Sequence, residues 1–315
     1  GNYVRLKLSA PFKPDSGEFN NKNTSGDPIL FNEAFVAVGG EWGELAAGRL
    51  ANIFSGNGDF GLCPHINPSP MGTNFPNAGL TPIFSSGYYY NNSVIYNSPR
   101  VNGFHVAAMY SNGRDDDSVS RGKSDQFSAL ALTYIGESFK FAVIPTYIDS
   151  DSLKTATVTP NDEYSIALLG SYRPEPTMGL HFGYQFVRDG RALGGSYFNY
   201  FTPAAAGGPG IAKSERGVDT HALSLGFSKR FGAQKISIVL MGNKVEYKGD
   251  SAVDGDSEGW RVIPATIYRY YLSKRTHFWA SASTSQSGGL YKKAREFEKD
   301  PTKAWDVGAG LVHHF

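Results

Sequence analysis

The feature that most constrains this chain is a two-residue hydropathy period that recurs from one end to the other. In Leu180–Phe186, Leu180, Phe182, Tyr184 and Phe186 share one face, with His181, Gly183 and Gln185 opposite. From His221 to Phe231, His221, Leu223, Leu225 and Phe227 alternate with Ala222, Ser224, Gly226, Ser228 and Arg230. Val4, Leu6 and Leu8 alternate with Tyr3, Arg5, Lys7 and Ser9, and Tyr164, Ile166, Leu168 and Tyr172 with Glu163, Ser165, Ser171 and Arg173. Successive strand side chains point to opposite faces, so each segment has one apolar and one polar face. The period predicts strand cores over 2–11, 31–39, 44–50, 93–98, 103–112, 125–136, 138–149, 162–173, 179–188, 217–230, 234–247, 258–272, 274–286 and 303–315. That makes fourteen, and no long helix competes with them.

No stretch approaches the ~20 consecutive apolar residues of a membrane-spanning helix. No charged-then-apolar leader opens the 315 residues, so a secreted precursor is expected to be already processed. A net charge of +1 lacks the basic excess of nucleic-acid binders, and no nucleic-acid partner is expected. One Cys permits no internal disulfide. The 18 Tyr, 21 Phe and 37 Gly suit many strands joined by tight turns, in a soluble sandwich or a membrane barrel alike.

Connection lengths separate those two readings. Short links (136–137, 173–178, 232–233, 273–274) alternate with long polar ones (12–30, 51–92, 113–124, 150–161, 189–216, 248–257, 287–302). Membrane barrels have short periplasmic turns and longer extracellular loops. Tyr88–Tyr90, Tyr268–Tyr271 and Trp305 place aromatics near strand ends, where amphipathic rings favour the headgroup level. In hydrocarbon every backbone polar group needs an internal partner, so a sheet survives there only by closing. The expected fold is therefore all-β, a transmembrane antiparallel β-barrel, one domain over 1–315. About 16–18 strands leave an aqueous channel, and the polar, small or charged inward faces suit a water-filled lumen. Loop 51–92 is far longer than ordinary connections. Its Phe54, Phe60, Phe75 and Phe84 argue that it folds into the lumen and narrows it.

Several stretches resemble the general trimeric porins of Gram-negative bacteria. Phe31–Gly40 followed by Glu41–Arg49 is similar to that family's hairpin ending in Gly-Arg, and Asn91–Pro99 with Gly103–Phe104 to its strand after the constriction loop. Tyr271–Thr276 resembles a periplasmic hairpin of the family, and Val307–Phe315 its C-terminal strand. Tyr3–Phe12 resembles the third of sixteen strands, which implies either sixteen strands in the intact protein or a smaller barrel of fourteen. The resemblance further implies an outer-membrane location, a homotrimer, a lipid and lipopolysaccharide environment, and passive diffusion of ions and small hydrophilic solutes. Phe315 would be the assembly signal on the periplasmic side.

On this reading Asp59, the carboxylate of loop 51–92, faces a basic wall of Arg5, Lys7 and Arg49 at the pore constriction. Arg173, Arg230, Arg261 and Arg269 are further lumen-lining candidates at unassigned heights. Basic walls favour anions, so weak anion selectivity is expected. Asn91, where the family often carries another arginine, weakens that wall. Two other classes remain open: a substrate-specific channel, with a saturable site, and a non-conducting adhesin or receptor barrel.

No catalysis, cofactor or metal is expected. Ser283 and Ser285 near His277 are ordinary alternation in a strand and lack an orienting group. Cys63-Pro64-His65 supplies two metal-ligand types without companions, which fits a packed loop thiol better. Asp115–Asp117 and Asp254–Glu258 read as solvated loop acids, with divalent bridging to lipopolysaccharide phosphates as the sharper alternative.

Overall fold

The computed structural model describes residues 1–10, 16–18, 32–56, 58–71, 84, 89–112, 125–150, 154, 159–191, 215–249, 257–293 and 303–314. Fourteen strands follow one another: β1 (Tyr3–Ser9), β2 (Glu33–Gly40), β3 (Gly43–Ala51), β4 (Tyr89–Asn97), β5 (Phe104–Asn112), β6 (Gln126–Ile135) and β7 (Phe139–Ile148), then β8 (Glu163–Glu175), β9 (Met178–Gly190), β10 (Val218–Phe231), β11 (Gln234–Tyr247), β12 (Glu258–Tyr271), β13 (Thr276–Gly289) and β14 (Lys303–His313). A single helical turn, α1 (Cys63–Ile66), lies between β3 and β4, and a 3-10 turn (Leu290–Lys293) follows β13. No helix among the described residues is long and apolar enough to cross a membrane, which says nothing of crossing by strands.

All fourteen strands form one antiparallel sheet in which every strand pairs with its sequence neighbours. β1 and β14 are the two ends of that order. The sheet is nevertheless curled. Asp59 ion-pairs with Lys7 on β1, while the Asn67 carbonyl, eight residues on, accepts from His181 on β9. Laid flat, strands eight apart lie about 38 Å from each other at the usual spacing. The segment between Asp59 and Asn67 contains α1 and spans only roughly 20 Å. One short segment therefore reaches both strands because the sheet wraps around it.

The two sheet faces differ as the alternation demands. Outward rows carry Val36, Val38, Leu45, Val94, Leu130, Leu132, Ile166, Leu168, Leu223, Leu225, Ile238, Leu240, Val307 and Leu311, all exposed. A water-soluble protein rarely shows contiguous apolar surface on this scale, whereas lipid-facing strands require it. Aromatic pairs sit near the strand ends: Trp42 on Tyr96 and Phe104 on Tyr134 at the short-turn end, Tyr147 on Tyr164 at the long-loop end.

The inward rows correct one expectation. They are polar on β13 (Ser281, Ser283, Ser285, Ser287) but largely apolar on β11 and β12 (Val239, Met241, Ile263, Ala265, Ile267) and across β2 to β8. There Phe35, Ala37, Ala46, Ile95, Ala107, Met109, Phe127, Ala129, Ile144 and Leu169 join one buried cluster with Ile53, Phe54, Leu62, Ile66, Met71 and Phe84 of segment 51–92. The physical reason is that segment itself. Burying each large aliphatic or aromatic side chain contributes about 1.5–3 kcal/mol, so a loop lying against the wall needs apolar wall beneath it. Close approach also explains two inward glycines: a Cβ at Gly226 would stand 2.5 Å from Pro70, and one at Gly183 3.1 Å from Phe84.

Candidate functional site

Two charged regions lie on the inward rows. The first gathers Arg5 and Lys7 of β1 around Asp59. Both bases pair with Asp59, Arg5 also with Glu44 at 2.5 Å and Lys7 with Glu33 at 2.6 Å. Arg5 further lies over the rings of Phe35 and Phe60, 5.1 and 5.6 Å from their centroids. Burial alone would raise the Asp59 carboxyl, but hydrogen bonds from Lys7 and Arg5 outweigh it and hold the group below the usual carboxylate range.

Sequence reasoning named Asp59, the carboxylate of the loop, facing Arg5, Lys7 and Arg49; the structure adds Glu33 of β2 and Glu44 of β3, so three carboxylates surround two bases. Glu33 and Glu44 were missed, yet the register contains them. Ser9 pairs with Glu33 and Tyr3 with Gly39, which in turn pairs with Glu44, so both acids fall in the inward row of Arg5 and Lys7. Arg49 is not brought to this cluster. It pairs with Ala34, in the row alternate to Glu33 and Phe35, beside a register shift between Gly48 and Leu50. Its guanidinium donates to Asn91 at 2.6 Å and lies 5.7 Å from the Tyr89 ring centroid.

The second region is at the short-turn ends of the strands. Arg230 of β10 pairs directly with Lys235 of β11, and Lys235 with Arg269 of β12. Three cations therefore stand side by side in one inward row. Arg173 lies within electrostatic reach of Lys235 and of Lys140, and Arg100, in the turn after β4, lies within reach of Lys140. Among the described residues none of these six forms an ion pair with a carboxylate. Arg230 instead donates to the Gly232 carbonyl at 3.0 Å and lies 4.7 Å from the Tyr271 ring centroid. Directly opposed like charges destabilise a sheet, so this row works against the fold. Lys140, Lys235 and Arg100 escaped sequence reasoning. The pairing of Arg230, Lys235 and Arg269 across two tight turns was the available signal.

Arg261 belongs to neither region. It is buried near the opposite end of β12, 4.2 Å from the Tyr291 ring centroid, in a pocket closed by the 3-10 turn, where Tyr291 donates to Asn243. It is thus a packed side chain of the loop end, not an open lumen surface.

Segment 59–71 runs between the two regions along the inner wall. Lys140 donates to the His65 carbonyl at 3.0 Å, Ser171 to that of Ile66 at 2.6 Å and His181 to that of Asn67 at 2.8 Å. Cys63 is wholly buried, which pushes its thiol far up, and donates to the Phe54 carbonyl. No metal-binding group of three or more His, Cys, Asp or Glu occurs among the described residues. Phe75, Phe315, Asp115–Asp117 and Asp254–Asp256 lie outside the described residues; Glu258 pairs with Lys244 at 3.0 Å.

A curled sheet with lipid-type outer rows, a loop held inside it and opposed charged regions on its inner wall is the layout of a diffusion channel. The profile of the Gram-negative porin family matches residues 2–289. This chain belongs to that family. An outer membrane porin protein of Bordetella pertussis is 28% identical over 323 residues, covering 98% of this chain and 78% of that protein. Among solved structures, the anion-selective porin from Comamonas acidovorans superposes with a TM-score of 0.63 at 18% identity, covering 100% of this chain and 85% of that one. The outer membrane channel DcaP of Acinetobacter baumannii gives 0.64 at 11%, covering 99% and 81%. These likenesses carry the fold. The porin is an outer-membrane channel protein of a Gram-negative bacterium.

Proposed function

We propose that this porin is a passive, weakly anion-selective diffusion pore for ions and small hydrophilic solutes. The observation that carries the reading is the row Arg230, Lys235 and Arg269, opposed strand to strand and continued by Arg173, Lys140 and Arg100. A fold keeps such a row against its own repulsion when the charges face water and act on something passing. Rings of Arg and Lys favour anions, and the short-turn end, periplasmic in outer-membrane barrels, places this one at the inner mouth. The Arg5–Lys7–Asp59–Glu33–Glu44 cluster, two bases against three acids, adds a transverse field at the narrowing and no basic excess. Segment 51–92 acts as the constriction, supported by its buried apolar residues and its hydrogen bonds to β7, β8 and β9.

The likeness to a porin whose own title describes it as anion-selective agrees with this reading. A homotrimer fits the outward rows of β1 to β3, where Val4, Leu6, Val36 and Val38 are exposed beside the small Ala34 and Ala47. The deciding experiment is the reversal potential of the purified protein in a planar bilayer under a KCl gradient. A potential on the chloride side supports the proposal, and a clear potassium preference overturns it.

A further inference from the structure

Beside the compensated cluster, the inner wall opens into a cavity of about 250 Å³ lined by Arg5, Glu44, Asp59, Phe60, Leu62, His65, Asn97, Arg100, His105, Thr133 and Ile135. Its two ends differ. At one, Glu44 and Asp59 are held by Arg5 and Lys7. At the other, His65 and His105 stand near Arg100, and Lys140 anchors the His65 carbonyl. Between them Phe60, Leu62 and Ile135 supply apolar surface. We propose that this cavity is a binding site for small carboxylates with a short apolar or aromatic body, with Arg100, His65 and His105 holding the carboxylate and Phe60, Leu62 and Ile135 covering the body.

The chemistry favours an anion because the acids are already bonded, whereas Arg100 forms no ion pair among the described residues. Burial, with the charges of Arg100 and Lys140, holds the His65 imidazole below its usual value. The end of the cavity is thus electropositive before either histidine is charged. An arriving carboxylate reverses that field and favours protonated imidazole, so binding takes up a proton and tightens as the pH falls. The charged groups facing His65 are Arg100 and Lys140, and His105 faces Arg100 and His65. The volume sits just under the ~300 Å³ at which ordinary ligand pockets begin, which limits the occupant to about the size of one ring.

The inference deepens the pore reading and rests on solutes reaching the lumen. Benzoate is the probe, with benzamide as its neutral isostere and acetate as the anion without a body. In planar bilayers benzoate is expected to reduce chloride current saturably, acetate more weakly and benzamide not at all. Lowering the pH from about 8 to about 6 spans the imidazole range and should strengthen the benzoate effect. Arg100→Gln should weaken it about tenfold or more, the usual scale for losing one hydrogen bond to a charged group. Calorimetry in detergent reads the same binding if no current is seen. Equal action of benzoate and acetate, or of benzoate and benzamide, or a strictly linear dose response, overturns the site. The KCl reversal potential in the same membranes is independent: chloride preference with no saturable benzoate effect sinks the site alone. Benzoate binding without chloride preference sinks only the selectivity.

Discussion

Two groups of cations line the same inner wall, and they are built in opposite ways. Arg5 and Lys7 are surrounded by Asp59, Glu33 and Glu44, each contact 2.6 Å or shorter. Arg230, Lys235 and Arg269 face one another with no carboxylate among the described residues. The first arrangement stabilises the position of a loop; the second destabilises its own strands and projects charge into the lumen. The lesson is that a basic residue's position in an inward row does not assign it to selectivity. Its compensation does.

The largest test of this contrast is to neutralise each group separately. A unit charge about 10 Å from a passing ion in water is worth roughly 0.4 kcal/mol unscreened and about half that at moderate salt, and because it acts oppositely on the two ions it changes their concentration ratio about twofold. The triple variant Arg230→Gln, Lys235→Gln, Arg269→Gln should therefore lower the chloride-to-potassium permeability ratio on the order of fivefold to tenfold. Arg5→Gln with Lys7→Gln should change it in the same direction and less per charge, because three crowded carboxylates left without their bases bind protons and so give back part of the lost charge. Both effects should shrink as the salt rises, because screening shortens from about 30 Å at 0.01 M to about 3 Å at 1 M. Equal shifts from the two groups would break the comparison.

Removing a compensating acid should do the reverse. Asp59→Asn leaves Arg5 and Lys7 with one carboxylate each, and anion preference should rise by about twofold. Acid titration of the unaltered porin is the matching measurement. The folded pKa of Asp59 lies below its ordinary 3.8. Its ion pairs are therefore complete above that value, and their stabilising contribution disappears only as the pH falls through the lower folded value. Selectivity governed by Asp59 should stay flat from neutral pH down to about 3.8 and rise only beneath it. A rise beginning near pH 5 would assign the change to another group.

The loop that joins the two regions supplies a third, smaller test. Gly226 lies against Pro70, with room for no Cβ. Gly226→Val should push the loop off β10 into the water path, lowering single-channel conductance and destabilising the fold by about 1–3 kcal/mol, as overpacking does. Selectivity should hardly move, because neither charged group is touched. Thermal unfolding and conductance steps read the two effects separately.

How much of this was legible beforehand follows the same physics. All fourteen strands were, because alternation is local and each segment carries its own lipid-facing row. β10 to β12, three of the four longest, matched almost residue for residue. β4 begins at Tyr89, not at 93, because its first residues continue inward under the loop, where alternation is masked by aromatic packing of Tyr90 on Phe127. The apolar inner wall of β2 to β8 was not legible, since only the folded loop makes apolar residues acceptable inside a channel. Among the charges, rows could be assigned from parity but partners could not. Glu33 and Glu44 reach Lys7 and Arg5 diagonally across strands that a long loop and a turn separate in sequence, and Arg100 sits in a turn where parity gives nothing.

Arg49 offers the finest test, because the Gly-Arg motif and the register assign it different places. The motif puts it on a constricting basic wall. The register puts it in the row of Ala34, donating to Asn91 and lying near Tyr89. If the register is right, Arg49→Gln leaves the reversal potential within the error of the unaltered porin. The loss of its hydrogen bond to Asn91 and its contact with the Tyr89 ring, together on the order of 1–2 kcal/mol, is then seen as a slightly lower unfolding temperature. A shift in selectivity comparable to that of one member of the Arg230–Lys235–Arg269 row would instead mean that the guanidinium acts on the ion path. The bulge between Gly48 and Leu50 would then have to be read as a device for turning the side chain inward.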